Sequence, residues 1–346
     1  QRYAAGSNLF QRVLWQRWVS QKGRNFITKN SGIGVELMPL LHSRRGGKNH
    51  KNVVLFYLQK GGGIMYIDTH TKEAMEQSIW SYLCVTPKDL RDLFEVAGNE
   101  AQQDKFIDGD KLNEIFNSFI KEHLSDKPID EVLFFHLSRR LNTAEDCNVG
   151  NNLFDLLSTD NAMSLFLKEH DVEFAVSDKH LNLIYKGKEV SLEDTNQEHI
   201  PYLRWRLGHN ANRIDFCFNG FLLKDLLYRN SYARELYDVP EFIGVLATFL
   251  KRRNIGTDFF ENSKYYCFEY CVPLQKIMFD DNEKLGTEQK RLYLLNQILN
   301  RLYEYHTSDI RYMFDHDNPI IRLADSDTMD EKYFVTKEKI TWDMLG

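Results

Sequence analysis

A nine-residue stretch in the second half of the chain, Lys264–Val272 (KYYCFEYCV), alternates in the manner of a β-strand. Successive side chains of a strand point to opposite faces of the sheet, so the stretch divides into two sets of residues. Aromatic rings fill one face, and the other face mixes cysteines with a carboxylate. One set is Tyr265, Cys267, Glu269 and Cys271, and the other is Tyr266, Phe268 and Tyr270.

Outward from this strand, short strands and helices are interleaved. Glu131–Leu137 (EVLFFHL) predicts a second compact strand, and turn signals at Ser177–Lys179 and Lys186–Lys188 predict antiparallel hairpins. The predicted class is therefore α+β, with mixed, largely antiparallel sheets and interleaved helices. Further strands are predicted at Val172–Val176, Leu181–Tyr185, Glu189–Leu192, Ile214–Phe218 (ending in a turn at Asn219-Gly220) and Ile320–Leu323, and helices at Leu153–Leu157, Asn161–Glu169, Phe221–Tyr228, Tyr232–Tyr237, Glu241–Arg252 and from a Thr287 cap.

A smaller helical and hairpin region is predicted to precede this part. Its hairpin joins Val53–Leu58 to Ile64–Ile67 through three glycines, which supply positive φ. Pro128 lies in a short polar stretch that favours a domain boundary. We therefore expect a basic N-terminal region at residues 1–127 and an α+β domain, the candidate catalytic one, at residues 128–346. Four helices are predicted in the first region. One follows a cap at Ser7, one spans Lys72–Leu83, one follows a cap at Thr86 with Pro87 as its first residue, and one begins at Asp110.

The charge of the chain is unevenly distributed. The chain has 346 residues, 42% of them hydrophobic, and a formal net charge of −6, a composition that excludes disordered and collagen-like classes. Residues 1–60 hold eleven lysines and arginines against one acid, Glu36, so they carry +10 and the remainder carries −16. The basic segment favours nucleic acid or another polyanion as partner, with docking on the acidic remainder as the alternative.

Cysteine usage and apolar runs predict the compartment. Five cysteines are too few and too scattered for a secreted disulfide framework, which favours a reducing cytoplasm. The longest apolar runs, such as Val53–Leu58, fall far short of the roughly 20 residues of a membrane span. The basic start leads into an amphipathic stretch rather than an apolar signal-peptide core. We expect a cytoplasmic protein with no membrane partner.

A basic run near the N-terminus, His42–Lys51, is the candidate anion site. Flexible glycine amides and guanidinium groups converge readily on phosphate, and the run combines both. The order of a Walker A loop is absent, so the expected ligand is a nucleic-acid backbone or another polyanion. The alternative is a solvated basic loop. The residues expected to bind are Arg44, Arg45, Lys48 and Lys51.

No metal site is predicted. The zinc-binding spacings CxxC and HExxH are absent from the chain. Asp108-Gly109-Asp110 suggests a calcium loop, but the twelfth position, where a bidentate glutamate is needed, is Ile115. Helix capping explains these aspartates. The acidic residues around His306 and Asp315 are interpreted as a solvated turn.

The segment Arg301-Leu-Tyr-Glu-Tyr-His306, at the end of the last long helix, resembles the R-x4-6-H motif of HEPN ribonucleases. The resemblance implies that Arg301 orients a scissile phosphate and that His306 helps to transfer the 2′-hydroxyl proton. The position after the arginine is Leu302, where that family usually has a polar residue, and the strand-rich surroundings differ from its all-helical bundle.

The order of residues 131–346 resembles the His–Tyr–Glu layout of ADP-ribosyltransferases, a split α+β fold that binds NAD across two small sheets. The resemblance implies that His136 holds the NAD ribose from the first strand. It implies that Tyr232 or Tyr237 stacks on nicotinamide, and that Glu269 stands at the later-strand position of the family's glutamate. NAD would be consumed as a substrate.

This chemistry needs a carboxylate because nicotinamide leaves through an oxocarbenium-like state, whose positive charge a nearby anion stabilises. The position two before Glu269 is Cys267, so the ExE pattern of arginine-modifying members is absent. The sequence thus predicts a NAD-consuming mono-ADP-ribosyltransferase of toxin or effector type, acting on nucleic acid or a nucleic-acid-associated target. The alternatives are a HEPN-like ribonuclease and a non-catalytic protein that binds a protein partner or nucleic acid.

Overall fold

Two long strands, β3 and β8, lie side by side at the centre of the fold. In the computed structural model, which describes residues 66–210 and 214–345, they pair antiparallel over eleven residues each, from Glu131 opposite Pro273 to Leu141 opposite Ser263. Lys264–Val272 therefore forms the predicted strand. The strands are β1 (Gln102–Gln103), β2 (Phe106–Ile107), β3 (Glu131–Leu141), β4 (Val172–Ser177), β5 (His180–Tyr185), β6 (Lys188–Glu189), β7 (Asn219–Phe221), β8 (Ser263–Pro273), β9 (Met278–Phe279), β10 (Ile320–Arg322) and β11 (Phe334–Lys339).

Six of these strands form the main sheet, in the order β11-β8-β3-β7-β10-β9. A three-stranded sheet has the order β4-β5-β6, and β1 and β2 form a short hairpin. Every strand pair within the described residues is antiparallel, which confirms the α+β prediction with antiparallel sheets.

Helices surround the sheets, and short 3-10 turns connect several of them. The α-helices are α1 (Lys72–Leu83), α2 (Pro87–Ala101), α3 (Gly109–His123), α4 (Leu153–Ser158), α5 (Ala162–Glu169), α6 (Ile200–Arg206), α7 (Ser231–Asp238), α8 (Glu241–Phe249), α9 (Arg253–Glu261) and α10 (Thr287–Thr307). The 3-10 turns are Asn142–Ala144, Leu227–Arg229, Leu274–Lys276, Ile310–Tyr312, Glu331–Tyr333 and Trp342–Leu345. None of the helices within the described ranges is long and apolar enough to cross a membrane.

The two faces of the β3–β8 pair bury different cores. Face A, which carries Phe134 and Phe268, packs with residues of α1, α2, α3 and α10 in the largest hydrophobic cluster. Face B, which carries Phe135 and Cys267, packs with α7 and with the C-terminal turn that contains Leu345. The alternation of each strand thus places one set of side chains under a helical layer and the other under shorter elements.

A third cluster forms a lobe built from two insertions. Residues 141–207 contribute α4, α5, α6 and the three-stranded sheet, and residues 239–259 contribute α8 and most of α9. The first insertion separates β3 from β7 along the chain, and the second separates α7 from β8. The lobe therefore interrupts the main sheet twice in sequence while having a hydrophobic core of its own.

The predicted boundary at residues 127/128 is wrong, because the helices before it share the core of the sheet after it. Ile79 and Phe116 lie in the same cluster as Phe268 and Leu299. The compact unit that contains the described residues begins at Ile64. Polar residues around Pro128 form a loop between α3 and β3 rather than a linker between domains.

Local signals predict most elements correctly. The predicted helix over Lys72–Leu83 is confirmed, with Thr71 accepting from the amide of Ala74 as its cap. The helix expected from Thr86 begins with Pro87, and its capping box is completed by Asp89. The predictions that involve Ser7, His42–Lys51 and Val53–Leu58 lie outside the described residues.

The interior strand β7 and the edge strand β11 differ from the prediction. Asn219-Gly220, predicted to be a turn, belongs to β7 because glycine lets this strand approach β3 closely. A Cβ at Gly220 would lie 2.4 Å from Cε1 of Phe134 and 2.6 Å from the carbonyl oxygen of Phe135. The sequence pattern of β11 was not recognised, since this edge strand (FVTKEK) lacks an apolar alternation.

Gly220→Ala is expected to lower the free energy of unfolding by about 1–3 kcal/mol, because the added methyl group collides with the backbone of β3 as well as with a ring. The matched control is Gly256→Ala in α9, where a Cβ meets nothing within 4 Å. Alanine should stabilise that helix by about 0.5–1 kcal/mol. Urea unfolding monitored by circular dichroism measures both changes. Equal effects of the two substitutions would contradict the close approach.

Candidate functional site

A histidine just before α1 reaches face B of the central strands. Thr71 caps α1, and the preceding residue His70 lies in a bend from which its ring reaches Glu269 in the sheet. Nδ1 of His70 donates to Oδ1 of Asp68 at 2.7 Å, and Nε2 donates to Oε2 of Glu269 at 2.9 Å. The backbone amide of His70 also donates to Asp68, at 3.0 Å. The imidazole therefore bridges a local carboxylate and the central strand β8.

This geometry favours the charged form of the imidazole. Burial alone would lower the pKa of His70, but hydrogen bonds to Asp68 and Glu269 and the charges of both carboxylates outweigh it. The pKa of His70 is raised to about 9. For Asp68, burial raises the pKa, and the hydrogen bonds from His70 more than reverse that effect and leave the pKa lowered. At neutral pH the ring is therefore an imidazolium that donates to both acidic side chains.

A second carboxylate, Glu338 of β11, lies on the same face. The hydroxyl of Tyr228 donates to its Oε2 at 2.5 Å, and Nζ of Lys224 lies 3.1 Å from the same oxygen. Burial raises the pKa of Glu338, but these two partners outweigh it, so the pKa is lowered and the carboxylate is ionised at neutral pH. Desolvation raises the pKa of Tyr228, which keeps its hydroxyl a donor.

The strand register brings the two carboxylates together. Thr336 of β11 lies opposite Glu269, and Glu338 lies opposite Cys267, so the two glutamates are diagonal neighbours on adjacent strands. Such diagonal positions are roughly 7 Å apart between Cβ atoms. The ring of Phe135 lies between the two cations, 5.3 Å from the His70 ring and 6.0 Å from Nζ of Lys224.

These side chains form one polar group, which we call the Glu269 cluster. Three carboxylates and two cations give it a net negative charge. The Glu269 side chain is 8% exposed and that of Glu338 is 43% exposed, so the cluster has a deep and an open carboxylate. The nearby thiol of Cys267 is no nucleophile, because burial raises its pKa to about 12. The cluster consists of Asp68, His70, Lys224, Tyr228, Glu269 and Glu338.

Of the predicted transferase residues, only Glu269 belongs to this cluster. His136 lies on face A, where its Nδ1 donates to the carbonyl oxygen of Asn219 at 2.7 Å and its ring lies 4.1 Å from that of Phe218. Burial, with a smaller effect from Arg140, lowers the pKa of His136 to about 3, so the ring is neutral. The sheet itself separates His136 from Glu269. The expectation that they contact one NAD molecule is therefore corrected, because neighbouring positions on paired strands face opposite ways.

The two predicted tyrosines lie away from Glu269. The ring of Tyr237 packs 6.2 Å from that of Tyr265, which is four positions from Glu269 along β8, a distance of about 13 Å. Tyr232 packs 6.3 Å from Phe221 in β7. Burial raises its pKa to about 12, so the hydroxyl is not an acid at neutral pH. The tyrosine that joins the cluster is Tyr228, in the turn before α7.

The predicted ribonuclease pair is not assembled either. The side chain of Arg301 is 3% exposed and forms ion pairs with Asp315, with Asp225 at 3.6 Å and with Glu304 at 3.2 Å. His306 lies five residues further along α10, about 140° around the helix, with its ring 5.6 Å from that of Phe94. The guanidinium is occupied by carboxylates, so it has no free edge for a phosphate.

Sequence reasoning missed five members of the Glu269 cluster: Asp68, His70, Lys224, Tyr228 and Glu338. Nothing in their spacing marks them, because they come from three separate segments that only the tertiary fold joins to Glu269. One weak signal exists for His70, which stands directly before a recognisable helix cap with an aspartate two residues earlier. Such a segment places an imidazole at the start of a helix, and the charge of that imidazole depends on the groups that bind it.

A separate set of side chains offers ligand atoms that could hold a metal ion. One atom each from Asp215, Cys217 and Asp325 lies within 4.8 Å of the others. Asp215 is already paired with Arg206 at 2.7 Å, and burial raises the pKa of the Cys217 thiol to about 12. A cation would have to displace the arginine and a proton. The absence of a metal cofactor stays a prediction.

Comparison with known proteins adds no family assignment. No protein-family model, no curated protein and no solved structure matches the chain. The resemblances to ADP-ribosyltransferases and to HEPN ribonucleases therefore stay predictions from the residues that suggested them.

The His70 bridge predicts a pH dependence of stability. The folded pKa of about 9 is raised above the ordinary value of 6.5, so the stabilisation is complete below about pH 6.5 and is lost as the pH rises toward 9. The free energy of unfolding should fall over that window, and the fall should be smaller in His70→Gln. Nitrogen-15 chemical shifts of the His70 ring measure the pKa directly. Titration of the ring near pH 6.5 would contradict the bridge.

The Arg301 ion pairs predict a structural role. Arg301→Met leaves Asp225 and Asp315 buried without their cation, which should cost about 3–5 kcal/mol of unfolding free energy. His306→Ala changes an exposed residue and should cost about 0.5 kcal/mol or less. Denaturant unfolding measures the free energy of unfolding of both variants and of the wild-type protein. A catalytic pair would instead give two stable variants with the same loss of RNA cleavage.

Proposed function

We propose that this protein cleaves the glycosidic bond of a cationic N-glycoside such as NAD and transfers the ADP-ribosyl group to an acceptor. One observation carries the proposal: the buried side chain of Glu269 accepts from His70 at 2.9 Å and lies diagonal to a more open carboxylate, Glu338, on the next strand. A pair of carboxylates at one bond is the usual equipment of enzymes that cleave glycosides.

The charge of the Glu269 cluster suits this substrate. Its net negative charge attracts a pyridinium ring, and it stabilises the positive charge that moves to the ribose when the ring leaves. Water is largely excluded around Glu269, so the interaction is stronger there than at the surface. His70 and Lys224 place positive charge between the carboxylates and reduce their mutual repulsion.

In each step of the proposed reaction, a residue of this chain stabilises the charge that develops or accepts the proton that is released. The C–N bond to the ribose breaks, nicotinamide takes the electron pair and becomes neutral, and the positive charge on the ribose lies against Glu269. The acceptor, water or a nucleophilic side chain, then forms a bond to the same carbon. Its proton goes to Glu338, the open carboxylate, while the Tyr228 hydroxyl and Lys224 hold one oxygen of Glu338 in place.

The proposed reaction is the one that the sequence predicts, but most of the residues assigned to it are different. Glu269 keeps the role that the resemblance implies, whereas His136, Tyr232 and Tyr237 have none. The toxin or effector character, the cytoplasmic location and a nucleic-acid-associated target reached through residues 1–60 belong to the same proposal. The ribonuclease alternative has no supporting observation, because Arg301 is surrounded by carboxylates.

Glu269→Gln is expected to reduce nicotinamide release from NAD by about 100- to 1,000-fold, since the amide removes the charge beside the developing cation and keeps the shape. Chromatography of nicotinamide measures the rate. The matched control is Glu131→Gln, another face B carboxylate, whose Oε2 lies 3.0 Å from the Cys271 thiol outside the cluster. The control should keep the wild-type rate.

Two results would overturn the proposal. If the wild-type protein releases no nicotinamide, with or without protein and nucleic-acid acceptors, NAD is not the substrate. If Glu269→Gln and Glu131→Gln release it equally, Glu269 is not the catalytic carboxylate. Glu338→Gln separates the steps, because it should slow transfer to the acceptor while leaving NAD binding unchanged.

A further inference from the structure

Two short basic runs meet at one corner of the inserted lobe. Lys186-Gly187-Lys188 forms the turn from β5 into β6, and Lys251-Arg252-Arg253 connects α8 to α9. The runs are more than sixty residues apart in sequence and belong to different insertions. We call the five cations together the basic corner. Its members are Lys186, Lys188, Lys251, Arg252 and Arg253.

Tyr185 connects the two runs. Nη1 of Arg252 donates to the Tyr185 hydroxyl oxygen at 3.2 Å. In the strand register, Tyr185 lies opposite Lys188, so both side chains point to the same face of the small sheet. Nζ of Lys186 lies 5.3 Å from the centre of the Tyr185 ring. The corner is therefore held together by specific contacts.

The corner has no carboxylate partner of its own. Lys186, Lys188, Lys251 and Arg253 are exposed and Arg252 is half-buried. None of the five forms an ion pair with any residue in the part of the chain that the structure describes. Some other surface cations are paired, as Lys72 is with Glu76 and Lys88 is with Asp92. The corner is therefore free of ion pairs with the described part of the chain and can bind an anionic partner.

The backbone at the corner is adapted to present these side chains. Lys186 has φ of 52° and Lys251 has φ of 55°, in the left-handed region where glycine or asparagine is the usual choice. Lysine at both positions keeps a charge where the conformation disfavours a side chain. The N-terminus of α9 at Arg252 has no side-chain cap, although the Arg252 amide itself donates to the carbonyl oxygen of Ala247 at 2.8 Å.

We propose that the basic corner binds the phosphate backbone of single-stranded nucleic acid. Arginine and lysine side chains with an uncapped helix start are phosphate-binding groups, and they contact the backbone without reading its sequence. A membrane surface fits less well, because no large apolar side chain of the two runs is available for insertion. The inference is independent of glycoside cleavage at Glu269.

Salt-dependent binding of a labelled 20-nucleotide single-stranded RNA tests this proposal. The triple variant Lys188→Gln, Lys251→Gln, Arg253→Gln removes three charges and keeps Arg252 with its bond to Tyr185. Each lost phosphate contact lowers the slope of log affinity against log salt by about 0.7 for a single strand. The slope should therefore fall by about 2, and affinity at 0.1 M salt should fall roughly 100-fold.

The matched control replaces three other exposed lysines that form no ion pair with a described residue, Lys105, Lys121 and Lys284, with glutamine. It gives the same net charge and should retain the slope. Both triples are made in the whole chain with Arg44, Arg45, Lys48 and Lys51 replaced by glutamine, so that these four cations do not mask the effect. Circular dichroism verifies that each variant is folded.

Three results would overturn the proposal. Equal losses of RNA affinity in the two triple variants would show that net charge, rather than the basic corner, determines binding. Unchanged RNA binding in the corner triple would remove the corner from binding altogether. Loss of binding to phosphatidylserine vesicles with unchanged RNA binding would identify a membrane surface as the partner instead.

Discussion

The structure depends on the antiparallel ladder between β3 and β8. Eleven paired positions fix which side chains share a face, and a slip by one residue would exchange the two faces throughout. Face A then receives the helical layer, and face B receives α7 and the C-terminal turn. The same ladder decides the site, because it places Glu269 on face B and His136 on face A.

Charge compensation is the second constraint. Glu269 is buried in a face made largely of Phe135, Cys267 and other apolar groups, and a lone carboxylate there would be costly. His70 and Lys224 supply the opposing charges, which ties the extended segment before α1 and the turn before α7 to the sheet. The same arrangement leaves the Glu338 side chain 43% exposed beside the buried side chain of Glu269.

Local patterns could predict most elements of the fold but not the site. The alternation of Lys264–Val272, the cap at Thr86 and the span of α1 follow from contacts between near neighbours in sequence. The strand at Gly220 depends on the close approach of Phe134, and β11 depends on its pairing with β8. Glu338 could therefore not be linked to Glu269, and the opposite orientation of His136 followed only from strand pairing.

The long separations within the Glu269 cluster bear on how the protein is made. His70 meets Glu269 across 199 residues, and Tyr228 meets Glu338 across 110. Such contacts close large loops and form late in folding. During synthesis the helices before β3 emerge early, whereas the open carboxylate emerges near the end of β11. A partly translated chain that lacks β11 is thus without the complete Glu269 cluster.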